Sequence, residues 1–497
     1  MELETLNGAG LPRAFPQGIS LISSYFRKNP MNKLFSRSTM GRTGAFLAAL
    51  SILFAETTIN AQGPYLHEPS RQQLLNGLQI LFWHRPGDEN VLMKMRIKSG
   101  AAFDVAGKAG MMALLGDALF PDPETRQYFT EELGGRLEVV TDYDGLTINM
   151  SGRAGGFERM VELMRNALVN TSLSPENVVK LREARIKVLQ ESSISPSMVA
   201  DRAIAARLFG EFPYGRPNAG SVETLSRVDR SDLMLARERF LNSDNAVLAV
   251  VGGLEERRMM RTLRQLLGNW RKGDRIVPAT FRQPEAPDGR PLIVNQPGVD
   301  DAEIRFAARG LARADRDHLA ATLLSVIARD RWQAAMTEFS RTPVFARHEA
   351  HQLPGMFVMG TSTKNANAAR AINAGQQIIK SLLATQPSPA EVERARAEVN
   401  TELSKRLSQP ASAAEMWLEA ESLKLNPVAH ELNALRLITP AEVHNAAVRL
   451  FKDNQIATVI IGSYDALKPG LGPVGKVEVL GDPSASKSAA PVPAIRP

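Results

Sequence analysis

Apolar and polar positions repeat along this chain at two scales. At short range, residues 228–252 (VDRSDLMLARERFLNSDNAVLAVVG) place apolar side chains at helical spacing. A polar turn and a nearly continuous apolar run ending in glycine follow. At long range, residues 438–462 (ITPAEVHNAAVRLFKDNQIATVIIG) repeat that pattern. An offset of 210 residues pairs Val228 with Ile438, Leu233 with Val443, Asn245 with Gln455, Val250 with Ile460 and Gly252 with Gly462. Each segment predicts a capped helix, with Asp229 or Thr439 followed three residues later by an acid, and then a strand.

A second pair supports the repeat. Ser174-Pro175-Glu176 opens a charged helix to Leu189, and Ser388-Pro389-Ala390-Glu391 opens another to about Leu407, at an offset of 214. Proline sits at the first helical position of both, where its missing N–H costs nothing. Residues 75–98 and 291–308 each read strand, turn, strand, with helices following from Gly107 and over 316–328. A period near 210 residues marks a duplicated domain rather than a solenoid. The expected fold is α+β: two homologous domains, each a mostly antiparallel or mixed sheet with helices packed on one face. The expected boundaries are an N-terminal extension with a signal peptide over 1–61, a first domain over 62–271, and a linker over 272–290. A second domain covers 291–466, and a disordered Pro/Ala-rich tail covers 467–497.

The first boundary rests on residues 44–55 (GAFLAALSILFA), an apolar run preceded by Lys33, Arg37 and Arg42 and followed by the small Ala61. That arrangement reads as an export signal cut after Ala61. Its 12 apolar residues are too few for a stable bilayer span. The mature protein is therefore expected in the periplasm or outside the cell, membrane-tethered only where the signal stays uncleaved. The chain of 497 residues has no cysteine, which excludes a disulfide scaffold, a thiolate zinc site and a cysteine nucleophile. A net charge of +7 without a long Lys/Arg run gives no nucleic-acid surface. Any metal site must draw on seven histidines and on carboxylates.

Several segments in order carry a resemblance. They are Asn76-Gly77-Leu78, Lys98-Ser99-Gly100-Ala101, Gly110-Met111-Met112, Leu133-Gly134-Gly135-Arg136-Leu137 and Thr141-Asp142-Tyr143-Asp144. Phe157-Glu158-Arg159-Met160 and Pro213-Tyr214-Gly215-Arg216-Pro217 with Gly220 complete the set. With the duplication, the stretch from about Gln73 to Asp465 resembles the pitrilysin/insulinase-like (M16) metallopeptidases. The resemblance implies two peptidase-like domains of the pitrilysin/LuxS-like metallohydrolase type. It also implies a zinc site built on His-x-x-Glu-His in the first helix, with a glutamate from a later helix as third ligand. Two histidines at i and i+4 share a helix face and hold the metal, and the glutamate between them is the general base.

Here the matching segment is GMMALLGDALF over 110–120. Ala113 stands for the first histidine, Gly116 for the base and Asp117 for the second histidine. Glu191 matches the third ligand, and Ala184 a further acidic position. Two carboxylates without imidazole hold zinc weakly, and no neighbouring group can take a proton from its water. No catalytic residue and no bound metal or other cofactor are expected in this chain. In the second half, the family's substrate-contacting Arg and Tyr match Thr337 and Val344 or Phe345, with Arg331 or Arg341 as stand-ins. Leu324–Arg331 (LSVIARDR) lacks the glycine-rich loop of the family's non-catalytic mitochondrial subunits.

The remaining residues read as structural. His348 and His351 sit at i and i+3, not i+4, and are expected as a surface pair. Asp142 and Asp144 alternate and are expected to face solvent. The resulting expectation is an exported, inactive M16 peptidase-like subunit. Its partner is a zinc-bearing M16 chain in a heterodimer, and zinc belongs to that partner. Extended peptides would bind at an edge strand near 136–148. Peptide-binding candidates are Lys98, Gly100, Arg136, Thr141, Arg331 and Arg341. The alternatives are an envelope scaffold of the same fold and a peptidase rebuilt around Asp117, Glu191 and an unplaced histidine.

Overall fold

A computed structural model describes residues 67–191, 195–273, 281–472 and 475–481. The expected signal peptide lies outside the described residues. The first half forms a six-stranded sheet from β1 (Ser70–Gln73), β2 (Gln79–His84), β3 (Asn90–Ile97), β4 (Arg136–Thr141), β5 (Leu146–Arg153) and β6 (Ala246–Gly252). Its order is β1-β2-β6-β3-β5-β4, and only β2–β6 is parallel. The second sheet comprises β7 (Leu292–Asn295), β8 (Asp301–Arg309), β9 (Phe345–Glu349), β10 (Met356–Lys364), β11 (Ala457–Gly462) and β12 (Glu478–Leu480). Its order is β12-β7-β11-β8-β10-β9, in which β7-β11-β8-β10-β9 repeats β2-β6-β3-β5-β4. The duplication seen in the sequence is thus a duplication of topology.

The first half carries helices α1 (Met111–Leu119), α2 (Pro123–Glu131), α3 (Phe157–Val169), α4 (Pro175–Glu191), α5 (Pro196–Phe209), α6 (Val222–Ser226), α7 (Arg230–Phe240) and α8 (Glu256–Leu267). The second carries α9 (His318–Met336), α10 (Ala368–Ala384), α11 (Pro389–Ser408), α12 (Pro410–Leu423), α13 (Val428–Leu437), α14 (Pro440–Phe451) and α15 (Tyr464–Leu467). The predicted caps form: Ser388, Asp229 and Thr439 each close a capping box on the acid three residues later. Among the described residues, no helix is long and apolar enough to cross a membrane.

The helices expected on one face are there, and the opposite face is covered as well. In β6, every residue is buried. Ala246, Leu248 and Val250 point into the first core, while Val247, Ala249 and Val251 point the other way. The second set meets Ala413, Ala414, Trp417 and Leu418 of α12, a helix of the other half. The exchange is mutual. Val459 and Ile461 of β11 meet Ala200, Ile204 and Leu208 of α5. A strand buried on both sides reads as a continuous apolar run, which explains AVLAVVG and ATVIIG.

The tail expected to be disordered from 467 is partly ordered. Leu467 closes α15 and is buried, and β12 pairs in parallel with β7. The backbone N–H and C=O groups along β7 needed a partner, and Val479 and Leu480 supply it despite the Pro-rich composition around them.

Trp417 is 4 % exposed and lies edge-on to Trp83, ring centroids 6.3 Å apart. Replacing Trp417 by Ala should cost about 3–5 kcal/mol in urea unfolding. The transition should stay single, because the cavity opens between halves rather than inside one of them.

Candidate functional site: the remnant of a metal centre

The segment that matches the zinc motif is α1, and eight of its nine residues are buried. Its start is fixed from several sides. Asp104 is buried and accepts the Gly110 and Met112 N–H groups at 2.6 and 2.8 Å. Burial pushes its carboxyl up to about 7, against these two donors and the nearby Arg216 and Arg185. Gly110 has φ 91° and abuts Gly220, at φ 81°; a Cβ on Gly110 would lie 2.8 Å from the Gly220 Cα. Both glycines are needed, for the backbone conformation and for the close approach. Thr224 donates to the Ala109 carbonyl at 2.8 Å.

Ala113 is 4 % exposed and carries no donor atom. Gly116 faces the inner side of β4: a Cβ there would lie 3.2 Å from Val139 and 3.3 Å from the Thr141 hydroxyl. Asp117, the one residue of α1 that reaches the surface, has its carboxylate 2.6 Å from an Arg185 Nη of α4. Arg185 also donates through Nε to the Ala219 carbonyl at 3.3 Å. Glu191 sits at the exposed end of α4, with Lys187 3.7 Å away. At about 100° per residue, Arg185 and Glu191 point roughly 120° apart around α4. Asp117 and Glu191, the two carboxylates left at the motif's ligand positions, thus each have their own cation. Among the described residues, no group of three or more His, Asp or Glu is placed to hold a metal. The donor set does not fit the family's zinc.

The other predicted site residues scatter. Arg136, Glu138 and Val140 are exposed on β4, which is the free edge of the first sheet as expected. Thr141 ends that strand, and Asn218 donates to its carbonyl at 3.4 Å. Gly100 lies where a Cβ would meet the Asp142 carbonyl at 2.2 Å, so it seats the β4–β5 turn rather than a ligand. Lys98 donates to Gln79 at 3.1 Å, and burial lowers its pKa. Arg331 clamps Glu391 of α11 in two hydrogen bonds of 2.7 and 3.1 Å, holding that carboxyl down at about 2. Arg341 pairs with Asp301 at 3.3 Å. Neither arginine is brought to α1 as a stand-in for the substrate-binding arginine. Thr337 caps the end of α9, Val344 is buried, and Phe345 lies under Arg305 and Arg347.

Sequence reasoning missed a cluster that joins the halves. Asp142 and Asp144 lie in the β4–β5 turn, not on a solvent-facing strand. Asp142 takes two hydrogen bonds from Arg96, at 2.9 and 3.1 Å. Asp144 accepts from the Tyr214 hydroxyl at 3.0 Å and from the Gln352 N–H at 2.9 Å, with the His351 imidazole 3.6 Å away. His351 packs between Tyr143 and Tyr214, at centroid distances of 5.4 and 4.6 Å. His348 is not its surface companion: burial holds it down at about 4, and its Nε2 accepts the Leu311 N–H at 3.0 Å. Tyr143, Tyr214 and His351 line a cavity of about 410 Å³, whose other walls include Asp201, Arg202, Arg216 and Arg347. Contacts across some 207 residues leave no local pattern, though Tyr214 lay within a quoted motif.

Residues 227–399 match the family model described as the peptidase M16 inactive domain. An uncharacterized zinc protease of Rickettsia felis is 19 % identical over 216 residues, 42 % of this chain and 52 % of that protein. Subunit 1 of the mitochondrial cytochrome b-c1 complex of Bos taurus is 24 % identical over 204 residues, 40 % of this chain and 41 % of that one. The chain thus spans about half the length, or less, of these curated relatives. Among solved structures, a peptidase M16 inactive domain from Pseudomonas fluorescens superposes with a TM-score of 0.71 at 16 % identity, over 80 % of this chain and 98 % of that one. The first half of the periplasmic protease PqqL of Escherichia coli gives 0.66 at 13 % identity, over 83 % and 95 %. The fold is that of the M16 peptidases. The match to the family model lies within residues 227–399, and the structural likeness extends over some 80 % of the chain.

Two measurements check this geometry. Asp104→Ala removes the acceptor of two amides at the start of α1 and should cost about 2 kcal/mol in chemical unfolding. The His351–Asp144 pair should make stability pH-dependent. Burial lowers the pKa of His351, but the facing Asp144 outweighs it and the net shift is upward; burial raises that of Asp144, but its hydrogen bonds and His351 bring it below normal. The histidine's contribution is complete below about pH 6.5 and fades as pH rises through its raised pKa; the aspartate's fades as pH falls below about 4. His351→Gln should therefore lose more stability at about pH 5.5 than at about pH 8.5. An equal loss at both values contradicts the pair.

Proposed function

We propose that this chain is an exported, catalytically inactive M16 subunit that pairs with a zinc-bearing M16 chain and forms one wall of a peptide-binding chamber. The observation that carries the reading is the state of α1. The scaffold of the site is buried and capped, yet Ala113 and Gly116 bring no chemistry and Asp117 is held by Arg185. Zinc and the general base then belong to the partner, and this chain takes no cofactor. Its own contribution is binding. The edge strand β4 leaves backbone groups open to an extended peptide, which adds to the sheet as a further strand. The likeness to inactive M16 domains supports the reading. Export rests on the apolar run over 44–55 and the basic residues before it.

The test is affinity capture of the full chain, tagged at its C-terminus, from its native cells. Stoichiometric recovery of a chain bearing His-x-x-Glu-His is expected, with peptide cleavage that falls at least tenfold when this chain is deleted. Cleavage unchanged by the deletion, or recovery of this chain alone, overturns the heterodimer. A stoichiometric envelope partner without the motif supports the scaffold alternative instead.

A further inference from the structure

The place where the family holds a metal is crossed here by an ion pair. Asp117 occupies the position of the second histidine, and the Arg185 guanidinium meets its carboxylate at 2.6 Å. The two side chains are 34 % and 21 % exposed, so the pair is partly withdrawn from water. The same guanidinium reaches the Ala219 carbonyl, in the loop whose next residue, Gly220, packs on Gly110 at the head of α1. One cation thus joins three elements: the motif helix, α4, and the loop over 217–220. A metal ligated from two helices makes the same kind of junction. Among the described residues, no His, Asp or Glu joins Asp117 in a group of three that could hold a metal. Ala113 lies one turn back on α1 without a polar atom, and Gly116 leaves only the Thr141 hydroxyl near.

We propose that Arg185 is a protein-borne cation that takes over the structural work of the metal, clasping α1 to α4 through Asp117, and that its charge keeps divalent metal out. The inference rests on the reading of this chain as non-catalytic and deepens it. The positive charge at this junction is supplied by Arg185 itself, so the junction needs no ion. Restoring histidines to α1 is then insufficient to restore metal binding. A divalent cation would have to sit beside a fixed guanidinium with no carboxylate left to neutralise it, and at partly buried separations that repulsion is worth several-fold to many-fold in affinity.

Two measurements test it. The first is zinc affinity, by titration calorimetry and metal analysis after dialysis, for Ala113→His/Asp117→His with and without Arg185→Gln. Zinc is expected to bind at least tenfold more tightly when Arg185 is neutralised; equal affinity overturns the exclusion. Circular dichroism and the melting temperature report whether each variant folds. The second uses milder changes and does not depend on the histidine variants folding. Asp117→Asn, Arg185→Gln and the double variant form a cycle in chemical unfolding. The pair should couple by about fivefold in the unfolding equilibrium, roughly 1 kcal/mol. Strictly additive effects overturn the clasp. The wild-type chain is titrated alongside: stoichiometric zinc there defeats the non-catalytic reading itself, whereas a zinc-free wild type with an additive cycle defeats only this inference.

Discussion

Each sheet in this protein has two apolar faces and only one set of helices of its own. The second face of each is dried by a helix borrowed from the other half, α12 on β6 and β3, α5 on β8 and β11. Most of the structure follows from that exchange. An ion pair anchors each borrowed helix at an equivalent point. Arg305 in β8, 1 % exposed, holds Asp201 of α5 at 2.7 Å, and Lys94 in β3 faces Glu415 of α12 at 3.4 Å. The bases are 211 residues apart and the acids 214, so the duplication carried both pairs. A buried arginine is costly unless its charge and donors are met. Here Asp201, Glu303 and Ser197 meet them, and the pair fixes where α5 lies rather than adding much net stability.

The exchange also leaves the packing of α1 independent of its motif positions. The cores are assembled from sheets, their own helices and the borrowed ones, and α1 contributes Met111, Met112, Leu114, Leu115 and Leu119 to the first of them. None of those residues is a motif position. The motif faces the other way, toward β4 and α4, where only Gly116 and Asp117 now stand. Chemistry at that face is therefore separable from the packing of the apolar stripe of α1.

Much of the fold was legible in the chain. The 210-residue offset survives as the same order of five strands in each sheet because periodicity and capping are local properties, and both halves kept them. The lost site was legible for the same reason: three positions on one helix are read directly once the helix is placed. The partners of those positions were not. Asp117 and Arg185 are 68 residues apart, and Asp144 and Gln352 are 208. Nothing in either neighbourhood marks the contact, since a charged residue on a helix or in a turn looks solvated until the fold supplies its counterpart. The borrowed helices hid for a related reason. The apolar runs of β6 and β11 announce two buried faces, but not whose helix covers the second. The short β12 went unseen because its pairing depends on an open edge of β7, not on its own composition.

The two ends of the first sheet divide the remaining work. At one edge β1 lies antiparallel to β2, while its counterpart β12 lies parallel to β7, so the repeat is broken there. At the other edge the repeat is kept, with β4 and β9 terminal in both sheets. Yet the two are not equivalent. Phe345, Arg347 and Glu349 of β9 are engaged with Arg305, Asp201 and each other, which fastens that strand to α5. In β4, Arg136, Glu138 and Val140 remain exposed. Charges on an edge deter indiscriminate pairing without closing the backbone to a chosen strand. β4 also lies directly beside Gly116, where the family has its base. A peptide laid along this edge would pass the old centre and meet a glycine and a neutralised aspartate. On the reading proposed above, such an edge binds a strand without cutting it, which is the combination that a chamber wall requires of its non-catalytic half.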